Sequence, residues 1–271
     1  MIPVTRLPVL FVGHGSPMNA IEQNEFSLTW EELGRVMPRP RAVLCISAHW
    51  ETWDTRVTAM ANPRTIHDFY GFPRELNEMQ YPAPGSDELV ELVKQKIKST
   101  TVVEDQEWGL DHGSWSVLCR MYPKAEIPVV QLSLNRQLSV QSHYLLGREL
   151  RPLCDDGILI LGSGNMVHNL RMVTWEADAG YDWAVSYDAD LKNWIEKGEH
   201  EQVVHYEEHG KPAELAVNSA EHYLPMLYVL GAGYADEPVS FFNEKVIMLQ
   251  RAFYLLYRSL DLDALFQPGL K

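Results

Sequence analysis

The sequence predicts an α/β protein with a central mixed, largely parallel sheet flanked by helices. Two observations predict this class. Short apolar runs rich in Val, Ile and Leu recur along the chain, which is typical of strands buried on both faces. Between them lie segments with apolar residues at helical spacing, and alternating strands and helices indicate an α/β fold. The chain has 271 residues, 46% of them hydrophobic, so residues 1–271 are expected to form one domain.

The predicted strands are apolar runs that end at glycine, proline or polar residues: 8–13, 42–48, 56–61, 127–134 and 157–163. The predicted helices are the amphipathic segments: 86–99, 139–153, 181–198, 211–232 and 243–260. The segment 61–85 is rich in proline and aromatic residues and carries neither pattern. Loops of this length are uncommon unless they serve a function.

Charge and cysteine content narrow the possible partners and compartment. The net charge is −14 and the pI is near 5.1, a balance that disfavours nucleic acid and anionic membrane surfaces as partners. Cys45, Cys119 and Cys154 lie in or beside apolar runs and form no CxxC pair, which favours reduced thiols in the core. The N-terminal apolar run is too short for a signal peptide, and no stretch has the length of a membrane span. A cytoplasmic protein is expected.

Histidines follow three of the predicted strands. VLFVG runs into His14, VLCISA into His49, and ILILGSGNMV into His168. Ligands of open α/β sheets collect beyond the carboxyl ends of the strands, so these side chains are expected to converge. Neutral imidazole is the commonest metal ligand in proteins. The flanking Gly13 and Gly15 would let the backbone approach a bound ion closely.

Other interpretations of these histidines stay open on the residues alone. A single histidine after a strand is more often structural, and GHGS (13–16) also suits an anion-binding turn before a helix. His143, within a predicted helix, is expected to be structural. The three histidines of the acidic stretch 198–211 are expected to lie on a solvated face: His200, His205 and His209.

Six motifs in order resemble one family. They are GHGSP, SAHW, HDFYGFP, LDHGSW, GSGNMVHN and EHYLP, between about residue 10 and residue 230. Together they resemble the class III extradiol ring-cleaving dioxygenases, most closely the DOPA 4,5-dioxygenase branch. The resemblance implies an enzyme that uses non-haem Fe(II) and O₂ to open the ring of a catechol.

The resemblance also implies roles for individual residues. His14 and His49 would bind iron, with His222 as third ligand in the DOPA branch. His112 and His168 would be catalytic groups beside the metal. His67, Tyr70 and Phe72 would shape the pocket that binds the substrate.

The third ligand depends on the branch of the family. A glutamate fills this position in the protocatechuate branch, so Glu221 competes with His222. Adjacent helical positions point about 100° apart, so only one of the two can face the metal. Zinc is expected in the purified protein, and His168 could then become a fourth ligand.

The chemistry suits these residue types. Imidazole ligands on one side of an iron ion leave positions open for a catecholate and O₂. A histidine beside the metal, with an ordinary pKa near 6.5, can move protons at neutral pH. His168 is the expected base, and His112 is expected to stabilise bound oxygen. Two alternatives remain at this stage: a zinc hydrolase with Glu221 as base, and a non-catalytic relative that keeps the pocket for binding.

Overall fold

A computed structural model describes residues 6–172, 181–234, 237–247 and 250–257. The strands are β1 (Val9–Gly13), β2 (Ala42–Thr52), β3 (Thr55–Thr58), β4 (Arg64–Thr65), β5 (Val102–Asp105), β6 (Gly109–Leu110), β7 (Val129–Asn135), β8 (Ile158–Gly164), β9 (Val239–Ile247) and β10 (Gln250–Tyr257). The helices are α1 (Glu25–Val36), α2 (Arg74–Glu78), α3 (Asp87–Lys96), α4 (His112–Met121), α5 (Val140–Leu150), α6 (Asp182–Glu196), α7 (His200–Val204), α8 (Gly210–Ala216) and α9 (Leu224–Ala232).

Within these ranges, eight strands form one sheet in the order β5-β3-β7-β2-β8-β1-β10-β9. The four central strands β7, β2, β8 and β1 run parallel, while β3 pairs antiparallel with β7 and β10 pairs antiparallel with β1. The small strands β4 and β6 pair separately. The predicted class, a mixed and largely parallel sheet flanked by helices, is confirmed.

Both faces of the sheet are buried, as the continuous apolar runs predict. In β1, Val9 and Phe11 pack into the core layer that contains α5 and α9, whereas Leu10 and Val12 pack into the layer that contains α1 and α4. Alternate side chains of a strand point to opposite faces, so one run serves two cores. The three cysteines are buried and unpaired in these cores, as expected.

The predicted helix over 243–260 is wrong. Its described positions lie in β9 and β10, which pair antiparallel with each other, while 258–260 lie outside the described residues. Periodicity cannot separate helix from strand where apolar residues are nearly continuous. The deciding factor is tertiary: β10 satisfies the backbone hydrogen bonds of β1 on the side away from β8.

The predicted helix over 211–232 is two helices. Helix α8 ends at Ala216, α9 begins at Leu224, and Pro225 lies in the first turn of α9. Proline suits a helix start but breaks a helix interior, which explains the interruption. The intervening turn carries Glu221 and His222. None of the described helices is both long and apolar enough to cross a membrane.

Candidate metal centre

Five histidines from distant parts of the chain meet at one edge of the sheet. His14 directly follows β1, His49 lies in the last half of β2, and His168 follows β8 by four residues. Because these strands are parallel, their carboxyl ends share an edge. His112 begins α4 and His222 precedes α9. The convergence expected from the strand ends is therefore present.

Local backbone features aim these side chains. The pairing of β2 with β7 shifts register between Ile46 and Glu51, and His49 lies in this irregular stretch. Such irregularities redirect side chains beside functional sites. Gly113 follows His112, and a Cβ at this position would lie 2.4 Å from Ser47 Oγ and 2.9 Å from His49 Cδ2. The missing side chain lets α4 approach the imidazole of His49.

The three histidines expected as metal ligands lie close together. Ring centroids are separated by 4.9 Å between His14 and His49, 5.4 Å between His14 and His222, and 5.1 Å between His49 and His222. The other two flank them: His112 lies 3.9 Å from His49, and His168 stacks on His222 at 3.5 Å. Potential ligand atoms also lie within 4.8 Å of one another in two sets, His14–His49–His112 and His168–Glu221–His222.

The Nδ1 atom of each expected ligand contacts an oxygen. Ser163 Oγ donates to the carbonyl of Gly113, so it accepts a hydrogen bond of 2.9 Å from His14 Nδ1. His49 Nδ1 lies 3.3 Å from Asp68 Oδ2, and His222 Nδ1 lies 3.1 Å from Glu221 Oε1. A carboxylate only accepts, so these contacts favour the tautomer with the proton on Nδ1 and a lone pair on Nε2.

The Nε2 atoms of His14 and His49 face each other at 3.0 Å. Two lone pairs at this distance repel unless a cation lies near both. Two nitrogens about 2.1 Å from one metal ion at a right angle are about 3.0 Å apart. The donor set, its tautomers and this separation all fit a divalent transition metal.

Burial disfavours the protonated, charged form of these histidines. Desolvation, reinforced by the neighbouring imidazoles, lowers the pKa of His14 and His49 well below the ordinary value. The pKa of His168 is lowered to about 3, by burial first and by His222 second. These rings are therefore neutral at neutral pH, the form that binds metals and accepts protons.

The surroundings of Glu221 and His222 show which of the two side chains faces the cavity. His222 lines the cavity described below, whereas Glu221 does not and instead contacts His222 Nδ1. Burial alone would raise the pKa of the Glu221 carboxyl, but the interaction with His222 outweighs it and the pKa is lowered to about 2. The carboxylate thus orients the imidazole, a common arrangement behind metal-binding histidines.

A cavity of about 760 Å³ opens over the histidines. Its walls come from the segment that follows β1 and from the loop between β4 and α2. No lysine or arginine is among the described residues that line it, which are His14, Gly15, Ser16, Pro17, Met18, Asn19, Glu22, Asn24, Glu25, Phe26, His49, Asp68, Phe69, Phe72, His112, Asn165, His168, Leu170 and His222.

The three expected substrate-binding residues are placed differently. Phe72 lines the cavity. His67 does not line it; its Nε2 lies 2.9 Å from the carbonyl of Met79, and its ring packs against Trp115. Tyr70 is 94% exposed at the loop tip and also lies off the cavity wall. The structure therefore brings one of the three to the cavity.

Two polar side chains that contact the site histidines were not predicted from the sequence. Asp68 belongs to the HDFYGFP motif and Ser163 to GSGNMVHN, so both were within recognised motifs. Their partners lie far away in sequence, His112 being 44 residues from Asp68 and His14 149 residues from Ser163. Only the folded sheet reveals these pairs.

Fold and site together define an α/β protein with an imidazole-rich cavity at the carboxyl edge of its parallel strands. Comparison with known proteins makes the class specific. Residues 8–254 match the family described as the catalytic LigB subunit of aromatic ring-opening dioxygenase. The chain belongs to this family of extradiol dioxygenases.

Individual relatives agree with that assignment. The 4,5-DOPA dioxygenase extradiol of Escherichia coli K12 is 47% identical over 241 residues, covering 87% of this chain and 89% of the relative. The Beta vulgaris protein of the same name is 39% identical over 228 residues, covering 82% and 85%. A crystal structure of an uncharacterized E. coli K12 protein aligns with a TM-score of 0.81 and 40% identity, covering 93% of this chain and all of that one.

Proposed function

We propose that this single-domain enzyme cleaves a DOPA-like catechol with O₂. The carbon–carbon bond beside the two hydroxyls breaks, both oxygen atoms enter the product, and a muconate semialdehyde forms. The observation that carries the proposal is the set of three neighbouring imidazoles whose Nδ1 atoms each contact an oxygen atom of another residue. The names of the relatives support an aromatic diol as substrate.

His14, His49 and His222 are the proposed metal ligands. Bound Fe(II) would supply the electron transfer that allows O₂ to react with a catecholate, which zinc cannot do because it has no redox chemistry. Zinc binds such sites more tightly than Fe(II) and is expected in protein purified in air. In that form His168, whose ring already stacks on His222, is the proposed fourth ligand.

His168 is the proposed base. Its imidazole lines the cavity, and its buried Nδ1 has no hydrogen-bond partner among the described residues. A neutral ring with a free nitrogen can accept the proton of a catechol hydroxyl and return it to the product. Since burial keeps its pKa near 3, the ring is in the accepting form before substrate binds.

His112 is the proposed partner of bound oxygen. It lines the cavity beside His49, at the first turn of α4, and its Nδ1 lies 3.0 Å from Asp68 Oδ2. The positive end of the helix dipole favours negative charge at this position. Its role is to stabilise charge that develops during ring opening.

The loop between β4 and α2 is the proposed wall of the substrate site. Phe69 and Phe72 line the cavity, and their ring centroids lie 5.2 Å apart in an edge-to-face arrangement. Apolar walls exclude water and strengthen the electrostatic interactions inside. The zinc hydrolase alternative has no specific support, because its expected base, Glu221, lies off the cavity wall and contacts His222.

The test is oxygen uptake by the metal-exchanged enzyme. The purified chain is stripped of metal, reloaded with Fe(II) without air, and given DOPA and simpler catechols in an oxygen electrode. We expect oxygen uptake with a yellow product from the Fe(II) form, and neither from the zinc form or from His14→Ala. A colourless dicarboxylate, or no uptake with any catechol, would contradict the proposal.

A further inference from the structure

One carboxylate connects two of the site histidines. Asp68 Oδ2 lies 3.0 Å from His112 Nδ1 and 3.3 Å from His49 Nδ1. Its other oxygen, Oδ1, accepts a hydrogen bond of 2.9 Å from the backbone N–H of His112. The side chain is 19% exposed and lines the cavity. Asp68 therefore accepts one hydrogen bond from the backbone of His112, and its second oxygen lies beside the Nδ1 atoms of two imidazoles.

These two imidazoles are the described side chains whose nitrogen atoms lie within 4 Å of the Asp68 carboxylate. No lysine or arginine among the described residues pairs with Asp68, so its charge faces only these two imidazoles there. A carboxylate accepts and never donates, so its nearness to both Nδ1 atoms favours the tautomers that carry the proton on Nδ1. For His49 this leaves the Nε2 lone pair directed toward His14, 3.0 Å away.

Asp68 also belongs to the cavity wall. It lies in the loop between β4 and α2, next to Phe69 and four residues before Phe72, both of which line the cavity. The loop bearing the aromatic wall thus contacts the histidine cluster through the carboxylate of Asp68 and through the ring of Phe69, whose centroid lies 5.6 Å from that of His112. Displacement of this carboxylate would disturb the ligand and the wall together.

We infer that Asp68 is a positioning residue that selects the tautomers of His49 and His112 and thereby sets the metal affinity of the site. This inference rests on the proposed function in treating His49 as a metal ligand. The competing explanation is purely local: Asp68 accepts from the first N–H of α4 and could act only as support for that helix.

The first measurement is zinc affinity of the whole chain, by competition with a chromophoric chelator. Asp68→Asn keeps the size of the side chain but removes one acceptor oxygen. We expect zinc to bind about 10–100-fold more weakly, the usual effect of removing such a partner. Asp105→Asn is the control, because Asp105 also accepts backbone N–H groups, from Glu107 and Trp108, and its ion pair is with Arg56 and not with a histidine. It should leave zinc affinity within about twofold.

The second measurement reads the tautomers in the metal-free protein by long-range ¹H–¹⁵N NMR. In the unaltered chain His49 and His112 should carry the proton on Nδ1. In Asp68→Asn both should shift toward the Nε2–H form, while His14, held by Ser163, stays unchanged as an internal control. A role limited to supporting α4 would weaken zinc binding without moving these tautomers, and that result would overturn the inference.

Unchanged zinc affinity in Asp68→Asn would also overturn it. If this variant does not fold, Asp68→Glu decides: weaker zinc binding at unchanged metal-free stability supports the inference, and unchanged binding refutes it. Neither measurement needs turnover. The proposed function would be contradicted if the chain cleaved no catechol. The role of Asp68 would still stand if Asp68→Asn weakened zinc binding and shifted the tautomers as expected.

Discussion

At the scale of single residues, His14 and His168 share the cavity but differ in what holds their rings. Nδ1 of His14 is bonded to Ser163, and Nε2 faces His49. The ring of His168 stacks on His222, and its Nδ1 has no partner among the described residues. An anchored ring with a directed lone pair suits a metal ligand, whereas a ring with a free nitrogen suits proton transfer.

This difference predicts separate outcomes for two variants. His14→Ala should lose bound metal on dialysis, because a coordinate bond disappears. His168→Phe keeps a ring against His222, so it should retain most Fe(II) while turnover falls by about two decades or more, the usual loss for a missing acid–base group. Metal analysis and oxygen uptake on the same samples check both. Loss of metal from His168→Phe as well would make His168 a ligand and not the base.

These histidines could be predicted from the sequence because each lies beside a strand or helix pattern that is visible locally. The polar side chains that contact these histidines could not be predicted in the same way. Ser163 and Asp68 lie within the quoted motifs, but nothing local marks them as partners of the histidines, because these partners become neighbours only in the folded chain. The exclusion of Glu221 from the cavity depended on the turn before α9, which was predicted as continuous helix.

At the scale of elements, predictions were best where local pattern and tertiary environment agree. The central strands β1, β2, β7 and β8 read as continuous apolar runs because both faces of the sheet are covered. The β9–β10 pair was missed because its conformation is set by the edge of β1, and helix α1, which packs on α4, was not predicted at all. Tertiary contacts override local propensity at such places.

The interface between α5 and α9 carries a pH-dependent contribution to stability. His143 of α5 is buried, and its Nδ1 lies 3.0 Å from the hydroxyl of Tyr228 of α9. Burial lowers the pKa of His143 to about 4 in the folded chain. The unfolded chain then binds the extra proton between about pH 6.5 and pH 4, so the free energy of unfolding falls as pH falls through this window. The loss is at most about 3 kcal/mol.

The variant His143→Gln removes this titration and should flatten the decline of unfolding free energy between pH 6.5 and pH 4. Denaturant unfolding of the metal-free chain at several pH values measures it. Tyr228→Phe is the control: it removes the hydrogen bond but keeps the buried ring, so overall stability falls while the acid dependence stays. An equally steep decline in His143→Gln would refute the assignment.

At the scale of the whole molecule, the candidate site joins parts of the chain that are far apart in sequence. It combines residues after β1, within β2, at the start of α4, after β8 and before α9. No unfolded chain holds these groups together, so a metal that binds them stabilises the folded state by mass action. The chain also carries a net charge of −14, which attracts any cation without selecting one.

Thermal unfolding can separate these two effects. Zinc at about 100 times its dissociation constant should add about 2.7 kcal/mol to the free energy of unfolding, and so raise Tm by roughly 5–10 °C over the chelated protein. Calcium at the same concentration is the control for charge neutralisation, because it prefers oxygen ligands and gains little from imidazole. His14→Ala should abolish most of the zinc effect. An equal rise with calcium, or with zinc in His14→Ala, would place the stabilising ion outside the histidine cluster, since neither result needs the imidazoles that converge there.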